Sequence, residues 1–195
     1  MSKYFQHFPY ILYNDEVVTD ITRRSSVLKK LEGNPYLFLP YTIKEGDTIE
    51  TIADDYYGDP GLSWLIVMAN NIIDPIADFF KDYQTFNEFV IQKYSKDAEK
   101  SLDRALKKYE ILEWTQDTTR TDNIIYYRSV YNKDVLLSKE TFLNNDTTKN
   151  FYTDFQPLRF FQYETEENDK LRTIQLISSQ YTGQVIQEMR TILNA

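Results

Sequence analysis

The most regular spacing of apolar and polar positions in the chain runs from Tyr41 to Pro75, YTIKEGDTIETIADDYYGDPGLSWLIVMANNIIDP. Tyr41-Thr42-Ile43 is a short β-prone run, and Lys44-Glu45-Gly46 is a turn. Asp47 stands three residues before Glu50, the spacing of a capping box. Ile49, Ile52, Ala53 and Tyr56 follow at i, i+3, i+4 and i+7, which predicts one helix with one apolar stripe. Gly58 supplies the left-handed residue that closes a helix. Asp59-Pro60 opens a second one, with Asp as N-cap and Pro at the first helical position. Leu62, Leu65, Ile66 and Ala69 repeat the stripe, and Asn70-Asn71 with Asp74-Pro75 end it. The predicted order is strand, helix, tight turn, helix.

On the N-terminal side, residues 3–13 are rich in Tyr and Phe and are broken by Pro9. They predict an extended arm, continued by Val17, Val18 and Ile21, because Pro9 excludes a regular central strand. Asp20 or Thr22 is placed to cap a short helix through Leu31, ended by Gly33-Asn34-Pro35. On the C-terminal side, Thr85 and Glu88 form a second capping box ahead of Phe86, Phe89, Val90 and Tyr94. Lys96 to Trp114 predicts a helix with Leu102, Ala105, Leu106, Tyr109 and Leu112 on one face. Asp97, Lys100, Asp103, Arg104 and Lys107 make its opposite face a solvated one.

Gln116 to Asn123 predicts a loop. Ile124 to Tyr131 and Val135 to Leu137, joined by Asn132-Lys133-Asp134, predict a hairpin. Residues 144–150, NNDTTKN, make the linker. Phe151 to Tyr163, aromatic and interrupted by Pro157, is an arm, an edge strand or part of the core. Leu171 to Ile177 alternates as a strand, with Arg172, Ile174 and Leu176 on one side. Val185, Ile186, Met189, Ile192 and Leu193 predict a terminal amphipathic helix.

Composition narrows the possible functions. A chain of 195 residues suits one medium domain or two small ones. Its sixteen Tyr and twelve Phe exceed what a small interior needs and point toward contact surfaces. A net charge of −8 argues against sequence-independent binding of nucleic acid and against an anionic membrane surface. With no Cys there are no disulfides, thiolate metal sites or cysteine nucleophiles. The N-terminus lacks the apolar run and small-residue site of a signal peptide, and no stretch approaches the ~20 apolar residues of a membrane span.

Catalytic signatures are missing as well: the sequence has no GxGxxG, no GxxxxGK[ST] and no HExxH. His7, the single histidine, lies in the aromatic arm and reads as structural. Asp54-Asp55 are neighbours on a helix and diverge, so they do not form the carboxylate pair of a glycosidase. The acidic run ETEEND, Glu164 to Asp169, reads as a solvated helix or turn. Trp64 is either a core anchor or an exposed hot spot, and its neighbours Leu65 and Ile66 favour the core.

Tyr41-Thr42-Ile43, Gly46-Asp47-Thr48-Ile49, Ile52-Ala53, Tyr57-Gly58, Trp64, Asn70 and Asp74-Pro75 together resemble a LysM domain, a small βααβ module. The likeness implies N-acetylglucosamine polymer (peptidoglycan or chitin) binding through Gly46, Asp47, Thr48, Asn70 and Asn71, residues whose types helix capping also explains. Ile76 to Phe80 lacks the glycine loop of a LysM ending, so the second strand is short, altered or contributed from elsewhere. Adding Tyr57-Gly58-Asp59-Pro60, Leu62, Met68, Glu167 to Arg172, Ile174 and Ile177, the chain resembles the LysM-containing baseplate wedge subunits of T4-like contractile-tailed bacteriophages. The similarity is specific in those two regions and general between Asp97 and Phe161.

That resemblance implies an α+β fold in which a LysM-like βααβ module is embedded in a mixed helix and short-strand chain with extended aromatic arms. Residues 1–39 would form an arm and short helix, 40–80 the module, and 81–195 a C-terminal α+β region. It implies a structural, non-enzymatic part of the tail baseplate in the virion, assembled in the host cytoplasm without cofactors. Its partners would be other baseplate wedge proteins, with hub and sheath-initiator-type proteins as further candidates, and no nucleic acid, membrane or small-molecule substrate. Candidate partner-binding residues are Tyr4, Phe5, Phe8 and Tyr10 in the first arm, Tyr56, Tyr57 and Trp64 in the module, and Phe151, Tyr152 and Phe155 in the second aromatic segment.

Overall fold

A computed structural model describes residues 4–21, 36–144 and 151–193. A 3-10 turn at Tyr4–His7 precedes strands β1 (Tyr10–Tyr13) and β2 (Glu16–Thr19). Strand β3 (Phe38–Thr42) leads into helix α1 (Ile49–Tyr57), and a 3-10 turn at Pro60–Leu62 leads into α2 (Ser63–Ala69). Then come α3 (Tyr83–Leu102), α4 (Lys108–Gln116), β4 (Ile124–Ser129), β5 (Leu136–Ser138) and α5 (Lys139–Asn144). The chain ends with α6 (Phe151–Asp154), β6 (Phe155–Arg159), α7 (Phe160–Lys170), β7 (Thr173–Ile177) and α8 (Thr182–Leu193). This is the α+β class that the sequence predicts, with small antiparallel sheets. The helix expected between Asp20 or Thr22 and Leu31, with its Gly33-Asn34-Pro35 ending, and most of the 144–150 linker lie outside the described residues.

Contacts divide the chain into two compact units, one running to Phe80 and resuming at Leu171, the other spanning Lys81–Lys170. The grouping of 81–195 into one region therefore gives way at Leu171: β7 and α8 pack with the first unit. The partner of β3 in this unit is β7. It pairs antiparallel with β3 in the register Phe38↔Ile177, Leu39↔Leu176, Pro40↔Gln175, Tyr41↔Ile174 and Thr42↔Thr173. Ile43 N donates to Arg172 O at 2.9 Å and Ser178 N to Leu37 O at 2.7 Å, so Thr42↔Thr173 and Phe38↔Ile177 are non-hydrogen-bonded pairs. Pro40, between them, turns its missing N–H outward and costs the ladder nothing.

Two apolar clusters share this frame. Phe8, Leu37, Trp64, Leu65, Ile177, Val185, Met189 and Leu193 make the first. Ile43, Ile49, Ile52, Ala53, Ile66, Ile72, Phe79, Phe80, Ile174 and Leu176 make the second. Helix α2 and strand β7 feed both, which is why the predicted stripes of α1, α2, β7 and α8 converge. The cap of α1 is Thr48, one residue later than predicted: its Oγ1 accepts from Thr51 N at 3.2 Å, and Thr51 Oγ1 accepts from Thr48 N at 2.8 Å. Asp47 instead ties the turn, and Glu50 takes no part in the box. Gly58 closes α1 with φ 71°, and Asp59 accepts from Gly61 N at 2.9 Å to start the next turn, as predicted.

In the second unit, β4 is the centre of a three-stranded sheet ordered β5-β4-β6. The predicted hairpin is β4 with β5, and the Phe151 to Tyr163 segment resolves into a short helix, an edge strand and the start of α7. Pro157 is tolerated because β6 is that edge. Asp82, not Thr85, caps α3, its carboxylate accepting from Thr85 N at 2.8 Å. The helix predicted from Lys96 to Trp114 breaks at Asp103, which is left-handed at φ 51°. Glu110 fixes the bend by accepting from Lys107 N at 2.8 Å and Arg104 Nη2 at 2.7 Å. The break folds α4 back on α3, so that Phe86, Val90, Tyr94 and Ala98 meet Ile111 and Trp114 in one core.

The acidic run is a helix but not a wholly solvated one. Glu164 is buried, accepting from Lys93 Nζ at 2.7 Å and Tyr94 OH at 2.5 Å. Burial, then Glu164, pushes the Tyr94 phenol well above its ordinary value. Asn168 clamps the mouth of this unit: Lys81 N donates to its Oδ1 at 2.9 Å and its Nδ2 donates to Lys81 O at 2.9 Å.

Removing residues 171–195 should leave the first unit unable to fold although the sequences of α1 and α2 are unchanged. Loss of near-ultraviolet dichroism from Trp64 and rapid proteolysis between Tyr41 and Phe80 check this. A second expectation concerns acid. Arg120 beside Asp122, helped by Ser101 and the Trp114 indole, holds that carboxyl well below its ordinary 3.8. Arg128 likewise lowers Glu166 below 4.5. Depressed folded values mean that both groups stabilise above the unfolded values and lose that contribution as pH falls through the folded ones. The second unit should therefore weaken progressively below about pH 4.5, and Asp122→Asn should flatten part of that loss in urea titrations.

Candidate functional site

The aromatic residues predicted to meet partners separate by burial. Phe8 is 4% exposed and Trp64 6%, so both are core members of the first cluster rather than surface anchors. Phe8 turns inward because the 3-10 turn at Tyr4–His7 folds the start of the chain back, with Phe8 N donating to Phe5 O at 3.3 Å. His7 sits edge-on to Trp64 with ring centroids 6.1 Å apart, and its Nδ1 accepts from Arg190 Nε at 3.0 Å. Burial, then Arg190, lowers its pKa, so His7 is held as a neutral acceptor. Tyr57 is half-buried and donates to Ile177 O at 3.0 Å, while Tyr56 lies against its ring with centroids 4.8 Å apart. These two tie α1 to β7 and the core.

Phe5 and Tyr10 are exposed, at 53% and 72%. Phe155 is half-buried in β6, edge-on to Phe142. Phe151 and Tyr152 lie in the backbone of α6, and Tyr4 in the first 3-10 turn; their side chains are outside the described residues. The expected first arm is in fact a turn and a hairpin, because Asn14 and Asp15 both take left-handed backbone, φ 51° and 61°. Two such residues between β-prone runs make a type I′ turn whose twist suits a hairpin. That sequence signal was open to reading. It places Leu12 and Val17 on the surface beside Tyr10, with Tyr13 exposed on the other face.

The residues of a glycan-type groove are used by the fold. Asp47 accepts from Tyr41 OH at 2.8 Å and Lys44 N at 2.9 Å, and burial followed by Asp47 pushes the Tyr41 phenol up to about 12. Thr48 is the α1 cap. Gly46, at φ 85°, makes the turn, and open space surrounds the position a Cβ would take. Asn71, exposed and left-handed at φ 52°, ends α2. Asn70 is the most committed. Its Nδ2 donates to Ile66 O and Gln175 O, both at 2.8 Å, and its Oδ1 accepts from Gln175 N at 2.8 Å. The amide thus imitates a third strand along the outer edge of β7 and joins it to the end of α2.

Chemistry is equally sparse elsewhere. Among the described residues no group of three or more His, Asp and Glu could hold a metal ion, and no helix is long and apolar enough to cross a membrane. Two shallow depressions flank Trp114, and along them Arg104 pairs with Glu110 and Arg120 with Asp122. Asn70→Ala should cost the first unit about 1–3 kcal/mol, because it strips partners from Gln175 and the α2 end at once. Denaturant unfolding checks it; unchanged stability would show the amide to be spare.

Comparison with curated proteins finds no match. Comparison with protein families matches residues 15–192 to the phage family described as base plate wedge protein 53. The matched span takes in nearly all of both compact units, including β7 and α8. A structural place in the phage baseplate agrees with a chain in which Asp47, Thr48 and Asn70 hold its own fold. The chain belongs to the base plate wedge protein 53 family.

Proposed function

We propose that the chain is a non-enzymatic subunit of the tail baseplate of a T4-like contractile-tailed phage. It joins wedge subunits, and neighbouring wedges around the hub, by protein–protein contacts. In this reading β3, α1, α2 and β7 form a LysM-like module that serves as a scaffold rather than a glycan receptor. One observation carries the choice: the Asn70 amide, which a sugar-binding groove would need, is fully engaged with Ile66 and Gln175. Exposed apolar side chains on turns and strand edges, among them Tyr10, Leu12 and Tyr131, support contact with protein.

The test pairs two measurements on the full chain. Mixed with the purified wedge subunits of its phage, it should co-elute in a complex, and it should stay in the supernatant over insoluble peptidoglycan and chitin at low and high salt. Failure to enter any wedge complex would overturn the structural reading. Retention on peptidoglycan that Asn71→Gly abolishes, a change that keeps the left-handed backbone, would put a glycan receptor in its place.

A further inference from the structure

Strands β1 and β2 pair as Tyr10↔Thr19, Ile11↔Val18, Leu12↔Val17 and Tyr13↔Glu16. Cross-strand partners share a face, so Tyr10, Leu12, Val17 and Thr19 stand on one side of the ribbon. Tyr10, Leu12 and Val17 are 72%, 71% and 71% exposed. The base is tied by Asp20 N donating to Pro9 O at 2.8 Å, and the tip is the type I′ turn at Asn14-Asp15. Among the described residues, no other element packs substantially on this ribbon. A two-stranded hairpin is marginal in water unless its apolar face is covered.

Charge narrows what can cover it. From Tyr4 to Ile21 the chain has no Lys or Arg, and its exposed charges are Asp15 and Glu16, Asp20 being buried. Asp15 sits in the turn and Glu16 opens β2 opposite Tyr13, so both carboxylates mark the tip of the ribbon rather than its Tyr10, Leu12 and Val17 face. Such a surface is repelled by anionic lipid and by an equally acidic patch on a second copy. It is complementary to an apolar cleft with a basic rim.

We propose that the β1–β2 hairpin is a docking arm that seats its Tyr10, Leu12 and Val17 face in an apolar cleft of another protein, with Lys or Arg of that protein meeting Asp15 and Glu16. The inference rests on the baseplate reading above and names the chemistry of one partner surface. The preformed turn lets the arm bind with little ordering cost, and aromatic and aliphatic anchors of this kind carry most of an interface's energy.

The test uses the full chain and each purified wedge subunit of its phage in turn, by isothermal titration. Tyr10→Thr/Leu12→Thr/Val17→Thr removes the apolar face while keeping β-propensity, and Asp15→Asn/Glu16→Gln removes the charge while keeping a residue that tolerates the turn. The wild-type chain should bind one subunit. The threonine variant should bind it about tenfold or more weakly with unchanged thermal stability, and the neutral variant should lose part of the salt dependence. Equal affinity of wild type and threonine variant would overturn the docking arm while leaving the baseplate role standing. No binding to any subunit would overturn both. Self-association of the wild type that the threonine variant loses, or wild-type retention on anionic vesicles, would replace the basic cleft with a second copy or a lipid surface.

Discussion

The pairing of β3 with β7 is the constraint on which the first unit depends. Strand β7 offers Ile174 and Leu176 to one apolar cluster and Ile177 to the other, so neither core closes without it. Its inner edge bonds to β3, and its outer edge is occupied by Asn70 at Gln175 and by Tyr57 at Ile177. A central strand with both edges satisfied is thus assembled from one strand, one helix end and one phenol. The outer edge of β3 is blunted by Pro40, which offers no donor to a passing strand.

Side-chain amides do the joining in both units. Asn70 bridges residues 105 positions apart, and Asn168 bridges residues 87 apart, each by pairing donor and acceptor with one backbone unit. In the second unit this holds the entering and leaving chain together at Lys81. Long-range closure of this kind carries an entropic cost that rises only slowly with loop length. A whole α+β unit can therefore lie between the two strands of one small sheet.

Local signals made much of this legible. The stripes of α1, α2, α8 and β7, the Gly58 stop and the Asp59-Pro60 start stand where the periodicity puts them, because each depends on residues within one or two turns. What escaped was non-local or decided by competition. The partner of β3 lies beyond Lys170, and no periodicity marks a pairing across that distance. Thr48 outcompeted Asp47 as a cap because Asp47 was drawn to Tyr41 and Lys44. The α3–α4 break at Asp103 was hidden by apolar residues that also fit a continuous helix. Phe8 was a core residue hidden among the aromatics of the first arm, since composition counts rings and not their burial, whereas Leu65 and Ile66 already pointed Trp64 to the core. For the site, residue type could not show that Asp47, Thr48 and Asn70 hydrogen-bond within the fold.

The most direct measurement of this account is a cross-link across β3 and β7. The chain has no cysteine, so Thr42→Cys/Thr173→Cys would form an unambiguous pair. Both positions are exposed and directly opposed at a non-hydrogen-bonded site, where Cα atoms stand about 4.5 Å apart, within disulfide range. Mild oxidation should close the bridge in the native protein and raise its thermal midpoint, while the offset pair Thr42→Cys/Gln175→Cys should stay reduced. Failure of the first pair to close, or equal closure of both, would contradict the register and with it the closing role of β7.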